Sequence, residues 1–354
     1  MTQISNLVKL LRLCHNDQYM AQICFYDIEE SEKNHFSGLP DVHDIKFTEQ
    51  SLTNENIESD VEILSIFVSS TVDISSIEKM PKLKLIACRS TGFSNIDLVA
   101  CSERGIAVVN VPTYGEHTVA EYTFALMLAL SKKIITSAQQ MLLGSIDHSV
   151  LHGIDLQGKT LGIVGVGRIG INVSMLAEAF GMKVIAYDPF AKPEISHKGK
   201  IEMVELHNLA AKADIITLHA PLTKDNTHMI DQILLSKMKK GVFIINTARG
   251  ELIETNALIS ALKSGKIAGA GLDVLEDEKL MDFHEEALLL KKSKVGKETL
   301  EHVLANSILM QFPNVILTSH NAYNTTEAIL RINKTTVDNI KHYLAGEVRN
   351  KVNL

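Results

Sequence analysis

The chain has only four cysteines in 354 residues, at positions 14, 24, 88 and 101. That is too few for the disulfide framework of a secreted protein, and their spacing is not that of a zinc site. The composition predicts a reducing, cytoplasmic setting and no bound metal. A long apolar run is also missing: the strongest apolar helix candidate, 124–130, is far shorter than the roughly 20 residues that span a bilayer. It reads as a core helix, and no membrane partner is expected. Residues 1–20 lack the clean apolar centre of a secretory signal, because Lys9 and Arg12 interrupt it. They read as a short appendage before the first strand. Nor is there an excess of positive charge. With 35 Lys and Arg against 42 Asp and Glu, net charge −7 and pI near 6.1, the chain has no general attraction for polyanions, which excludes nucleic acid as an expected partner. The short basic runs at 237–240 and 291–294 read as solvated helix faces.

What is present is the composition of a globular protein, 45% hydrophobic and 22% charged. The length exceeds that at which a single core stops growing, so two domains are expected. Apolar strand candidates lie at 22–26, 61–68, 83–87 and 106–111, with helical or turn-rich stretches between them at 75–81 and 95–103. A buried helix is expected over 118–134. Beyond it the strand candidates are 161–164, 183–188, 214–220, 242–248, 269–274 and 314–319, separated by helices at 202–213, 232–240 and 255–265. Such β-α alternation predicts doubly wound parallel sheets, whose ligands bind outside the carboxyl ends of the strands. Two helical segments over 280–311 interrupt the rhythm. A last helix, 325–346, is expected to be capped by Asn324, with Glu327 three residues on. No strand follows it, so it is expected to pack back on the first domain.

The most informative stretch is Thr160-Leu-Gly-Ile-Val-Gly-Val-Gly-Arg-Ile-Gly170. A buried strand runs into Gly165, Gly167 and Gly170, and a helix starts at once. The first glycine permits the tight turn, the second lets backbone approach a pyrophosphate, and the third lets helix and strand pack closely. Arg168 and Ile169 fall inside this turn, where helix-end amides and the positive dipole end face the phosphates. Asp188, at the end of the next strand, lies 18 residues beyond Gly170, close to the roughly 20 at which an acid binds the adenosine ribose. A carboxylate there accepts from both ribose hydroxyls and repels a 2′-phosphate. NAD is therefore the expected cofactor, over NADP, with Lys192 the nearby residue that argues the other way.

Reading off the strand ends gives Arg249, then Asp273 with Glu276, Asp277 and Glu278 behind it, then His320. An arginine there can bind a carboxylate bidentately and polarise a carbonyl. A histidine can exchange a proton with an alcohol, and a neighbouring glutamate would hold its tautomer.

In this set the chain resembles the NAD-dependent D-isomer-specific 2-hydroxyacid dehydrogenases, closest to the D-lactate dehydrogenase-like branch. The glycine turn, Asn246-Thr-Ala-Arg-Gly, Gly271-Leu-Asp-Val and Thr318-Ser-His match the family's signature segments in order. The resemblance implies two Rossmann-like and flavodoxin-like domains with a cleft between them: a substrate domain of 21–112 and 323–354, and an NAD-binding domain of 113–322. It implies a catalytic set of Arg249, Glu278 and His320, Glu278 rather than Glu276 following the family's spacing from Asp273. It puts Asp273 at the nicotinamide carboxamide, Ala220, Pro221 and Asn226 along the cofactor, and Thr247 and Ala248 beside the arginine at its nicotinamide end. The loop Arg89-Ser-Thr-Gly is implied to hold the substrate carboxylate on the amides of Ser90, Thr91 and Gly92, with Arg249 on the same group and Tyr114 on the same substrate. The reaction implied is reduction of a 2-keto acid to a D-2-hydroxy acid, pyruvate to D-lactate foremost, in a homodimer. Phe93 and Tyr323 would serve a larger side chain. The rival reading is an NAD-binding sensor or corepressor that keeps the fold with little activity. The chain departs from the family in having Ser319 where proline often precedes the histidine, and Asn-Ala-Tyr after it where many members have Ile-Gly-Gly. The stretch between Glu278 and His320 is longer than in many relatives, as in the lactate-type branch.

Overall fold

The computed structural model describes residues 20–39, 43–191, 201–278 and 297–353. The appendage expected at 1–20, except its last residue, lies outside them, as do Lys192, the lysines at 291–294 and the part of the expected 280–311 helical segments before residue 297. The chain divides into two compact units, Met1–Tyr114 with Thr325–Leu354, and Gly115–Asn324.

In the first unit, β1 (Gln22–Phe25), β2 (Asp44–Phe47), β3 (Ile63–Ile66), β4 (Leu85–Cys88) and β5 (Ala107–Val109) form a parallel sheet in the order β2-β1-β3-β4-β5. That is the flavodoxin-like order. Strands β3 and β4 are buried along their whole length, which explains why they read as unbroken apolar runs. Strand β2 alternates exposed and half-buried residues at the sheet edge, and its pattern is too short and polar to have been foreseen. Helices α1 (Ile74–Glu78) and α2 (Leu98–Glu103) are capped by Asp73 and Asp97, which accept from Ser76 and Ala100 N–H groups at 2.8 and 2.9 Å.

In the second unit, α3 (Glu116–Ser131) is followed by α4 (Ile134–Leu142). One helix was expected over 118–134; Lys133 breaks it by taking φ 56°. Helix α3 packs on the sheet and on the helix after the glycine turn, and its buried residues include Ala120, Phe124, Met127 and Leu130. Strands β6 (Thr160–Val164), β7 (Lys183–Tyr187), β8 (Ile201–Met203), β9 (Ile215–Leu218), β10 (Val242–Asn246), β11 (Ile267–Leu272) and β12 (Val315–Leu317) are all parallel, in the order β12-β11-β10-β9-β6-β7-β8. Between them run α5 (Arg168–Ala179), α6 (Leu206–Lys212), α7 (Gln232–Lys237), α8 (Thr255–Lys263) and α9 (Lys297–Leu309). The helix expected over 202–213 is thus split: its start is the edge strand β8, and only the rest is helical. The order reverses between β6 and β9, which is the switch point where such sheets bind ligands.

Residues 325–354 belong to the first unit. Helix α10 (Thr326–Leu344) sets Val337 and Ile340 into a buried layer with Phe25, Ile63 and Leu85. Thr325, not Asn324, caps it: its side chain accepts from Ala328 N–H at 3.2 Å, while Asn324 donates to Asn321. The tail runs antiparallel along β5 through the Val109–Lys351 bridge.

Candidate active site

Strands β10, β11 and β12 are consecutive neighbours, with Asn246 beside Leu272 and Leu272 beside Leu317. Strands pair about 4.8 Å apart, so the chain leaves the sheet at three adjacent points of one rim. Arg249 follows the first, Asp273 to Glu278 the second and His320 the third. Backbone bonds stitch the exits together: Asp273 donates to the Asn246 carbonyl at 2.9 Å, and His320 to the Asp273 carbonyl at 2.8 Å. Buried Asn246 shapes the arginine turn, donating to the Arg249 carbonyl at 2.7 Å and accepting from Ala248 N–H at 3.0 Å. Arg249 is half-buried, its Nη1 donating to the Ala248 carbonyl at 2.6 Å.

The imidazole of His320 is held by Glu278, with Nδ1 2.6 Å from Oε1; each side chain is 34% exposed. A carboxylate on Nδ1 fixes the proton there and leaves Nε2 to give or take one. Asp273 is 1% exposed and aims both oxygens at the histidine's turn, accepting from Thr318 Oγ1 at 2.5 Å and from Asn321 and Ala322 N–H at 2.8 Å each. His228, Asp277 and His320 all have φ between 51° and 55°. Side chains rarely adopt that region, at about 1–3 kcal/mol each, and they do so where surrounding bonds enforce it.

At the switch point, Gly165 has φ +93°, and a Cβ there would sit 2.7 Å from Ala220 N. The turn therefore lies directly against the chain leaving β9. A Cβ at Gly167 would meet nothing within 4 Å, so this turn at the start of α5 is open where backbone must approach a phosphate. Asp188 closes the arrangement by accepting from Val166 and Phe190 N–H at 2.9 and 2.8 Å. These features fit a dinucleotide: an open helix N-terminus and a fixed carboxylate at the end of β7.

Residues 124–322 match the family model for the D-isomer specific 2-hydroxyacid dehydrogenase, NAD binding domain. A Schizosaccharomyces pombe protein named 2-hydroxyacid dehydrogenase homolog 1 is 38% identical over 91% of this chain and 96% of its own. The chain belongs to this dehydrogenase family. An aromatic 2-oxoacid reductase of Clostridium sporogenes is 42% identical over 81% of this chain and 85% of its own. The crystal structure of an Aquifex aeolicus D-lactate dehydrogenase, complexed with NAD and lactic acid, superposes with TM-score 0.78 at 34% identity, covering 92% of this chain and 96% of that one. The protein is an NAD-dependent oxidoreductase acting on the CH–OH group of D-2-hydroxy acids.

Within the dehydrogenase, the expected site residues fall as follows. Gly165, Gly167, Arg168, Ile169, Gly170 and Asp188 lie at the switch point, with Ala220 against Gly165. Asn226 shapes its own turn, accepting from Thr223 N–H and donating to the Pro221 carbonyl, each at 2.7 Å. Thr247 is 9% exposed, its hydroxyl 3.0 Å from that of Thr123 on α3. In the other unit, the amide N–H groups of Thr91 and Gly92 meet no acceptor among the described residues, while that of Ser90 faces the Cys88 thiol. The loop is held from behind, Ser90 Oγ donating to the Gly92 carbonyl and Thr91 Oγ1 to the Val111 carbonyl. Tyr114 is half-buried, and its carbonyl accepts from Arg331 Nε at 2.6 Å. Sequence reasoning gave no role to Asn246, Thr318 or His228, and it set Glu276 aside in favour of Glu278. Asn246 and Thr318 sit inside the signature segments, whereas nothing along the chain marks His228, whose ring meets Glu276 only in the fold.

His219, at the end of β9, is enclosed: Nε2 lies 2.9 Å from Thr217 Oγ1, and Nδ1 is sealed from solvent with no partner. Burial pushes its pKa down to about 3. The unfolded chain binds the proton more readily, so stability falls as pH drops from about 6.5 towards about 3, by up to about 1.4 kcal/mol per pH unit. His219→Asn removes that slope. Denaturant midpoints at pH 7 and pH 5 check it, and an unchanged difference between the two pH values counts against a neutral buried imidazole.

Proposed function

We propose that this dehydrogenase reduces pyruvate to D-lactate, or a close 2-keto acid to its D-2-hydroxy acid, with Arg249, Glu278 and His320 as its catalytic set. The observation that supports this most directly is the 2.6 Å Glu278–His320 pair on the rim where the Arg249 turn also emerges. NAD(H), when bound, supplies or takes up the hydride at C2. The amides of Ser90, Thr91 and Gly92 hold the substrate carboxylate, and Tyr114 contacts the same molecule. Arg249 shares that carboxylate and polarises the C2 carbonyl. His320 delivers a proton from Nε2 to the carbonyl oxygen as it becomes an alcohol, and Glu278 stabilises the charge on the ring throughout. In the reverse direction Nε2 takes the hydroxyl proton.

Gly165, Gly167, Arg168, Ile169 and Gly170 hold the pyrophosphate, and Asp188 the adenosine ribose. Ala220, Pro221, Asn226, Thr247, Ala248 and Asp273 line the rest. A homodimer is supported by α4, none of whose residues is buried: Ile134 is 52% exposed, and Leu142 and Leu143 beyond it are 89% and 82%. Apolar area on that scale marks an interaction surface.

A second reading, a 2-keto acid with an aromatic side chain, is favoured by the Clostridium relative. Initial rates on a panel of 2-keto acids with NADH and NADPH test both. Pyruvate with NADH is expected to give the highest kcat/KM, at least about tenfold above NADPH, for loss of the ribose contacts and repulsion of the 2′-phosphate is worth more than 1.4 kcal/mol. A preference for phenylpyruvate selects the second reading. No NADH oxidation with any member overturns both.

A further inference from the structure

One carboxylate on the rim has no part in the chemistry above. Glu276, 3% exposed, has Oε1 2.5 Å from His228 Nε2. Its Oε2 accepts the Thr255 backbone N–H at 3.1 Å and the Thr255 hydroxyl. On the side of α9, His302 Nε2 lies 3.9 Å from Oε1, and its Nδ1 is 2.6 Å from Asp277 Oδ2. Asn306 donates to the Glu276 carbonyl at 2.8 Å. Gly250, next to Arg249, lies on the same peptide: a Cβ there would be 2.0 Å from Leu275 C and 2.4 Å from Glu276 N.

Burying a charged carboxylate is costly unless bonds replace its water, and an apolar residue would stabilise the fold more cheaply. What the carboxylate adds is a fixed relation between segments. Thr255 begins α8, directly after the 249–254 turn. That turn pairs with 228–230 through His228 N–H to the Glu251 carbonyl at 2.7 Å and the Ile230–Ile253 bridge. Glu278 is two residues beyond Glu276. His228 keeps its φ of 55° with its ring on Glu276.

We infer that Glu276 is a positioning residue: bonded to His228 and Thr255, it fixes the arginine turn against the turn that carries Glu278. The inference rests on the roles proposed for Arg249, Glu278 and His320. His228, 40% exposed in its side chain, closes the outer end of the bond set.

The test is steady-state kinetics of the full-length chain with NADH and pyruvate, alongside NADH affinity by fluorescence and thermal midpoints. Glu276→Gln is expected to lower kcat/KM for the keto acid by about 10- to 100-fold, the scale of a misplacement near 1 Å. NADH affinity stays within about threefold, since the glycine turn and Asp188 are untouched. In an Arg249→Lys background the same change costs less than about threefold, because both act on one group. His228→Ala moves kcat/KM in the same direction, and His228→Gln, which restores a donor to Oε1, recovers most of the loss. A lower melting point with kcat/KM per folded molecule unchanged overturns the inference, as does full additivity with Arg249→Lys. If Glu276→Gln does not fold, the two His228 variants decide it: His228→Ala matching the parent overturns it. A parent that oxidises no NADH with any 2-keto acid instead fails the proposed function, and this inference with it.

Discussion

His320→Ala is expected to lower turnover of the keto acid by about 10²- to 10⁴-fold, the usual worth of a positioned acid-base group, while NADH binds as before. The two readouts separate because the ring stands apart from the glycine turn and Asp188, which are proposed to hold the cofactor's phosphates and ribose. Its turn follows β12 at one end of the sheet order, whereas the glycine turn follows β6 and Asp188 follows β7. Glu278→Gln should give a smaller loss: the amide still accepts from Nδ1, but it no longer balances the charge on the ring. The fall should therefore be in kcat. Stopped-flow single turnovers and NADH fluorescence titration check both halves. A His320→Ala enzyme with parental turnover removes this residue from the chemistry.

Arg249→Lys is expected to raise the KM for keto acid by about 10- to 100-fold, since a bidentate charge-assisted contact is worth about 1.5–3 kcal/mol and lysine keeps the charge without the fork. Arg249→Ala should also lower kcat, because no donor then polarises the carbonyl as its oxygen gains charge. Asn246 fixes the backbone of this turn through the Arg249 carbonyl and Ala248 N–H, so substitution removes only the one bond from the guanidinium to the Ala248 carbonyl and keeps both Asn246 bonds. An unaltered KM in both variants would show that the guanidinium does not touch substrate.

Much of this was legible in the chain because the signals are local. Strands buried on both faces, such as β6 and β10, read as apolar runs, and glycine spacing marks a turn with a helix behind it. Edge strands were not legible. Asp44–Phe47 and Ile201–Met203 are short and half-polar, and a neighbour's hydrogen bonds make them strands. Lys133 was invisible for a similar reason: nothing in an otherwise helical stretch announces a left-handed residue. At the site, Arg249, Asp273, Glu278 and His320 could be picked as strand-end residues of suitable chemistry, and family spacing separated Glu278 from Glu276. That Asp273 would spend both oxygens on the turn of His320, or that Glu276 would gather His228, Thr255 and His302, depends on contacts between residues 21 to 49 positions apart.

The sequence by itself determined the α/β alternation, the dinucleotide turn with its acid, and the residue types available for acid-base chemistry, since each follows from periodicity or fixed spacing along one stretch. The tertiary structure alone decided that Glu276 meets His228 and that Asp277 meets His302. Strand order brings β10, β11 and β12 side by side, and hydrogen bonds of under 3 Å are set by that neighbourhood and not by distance along the chain.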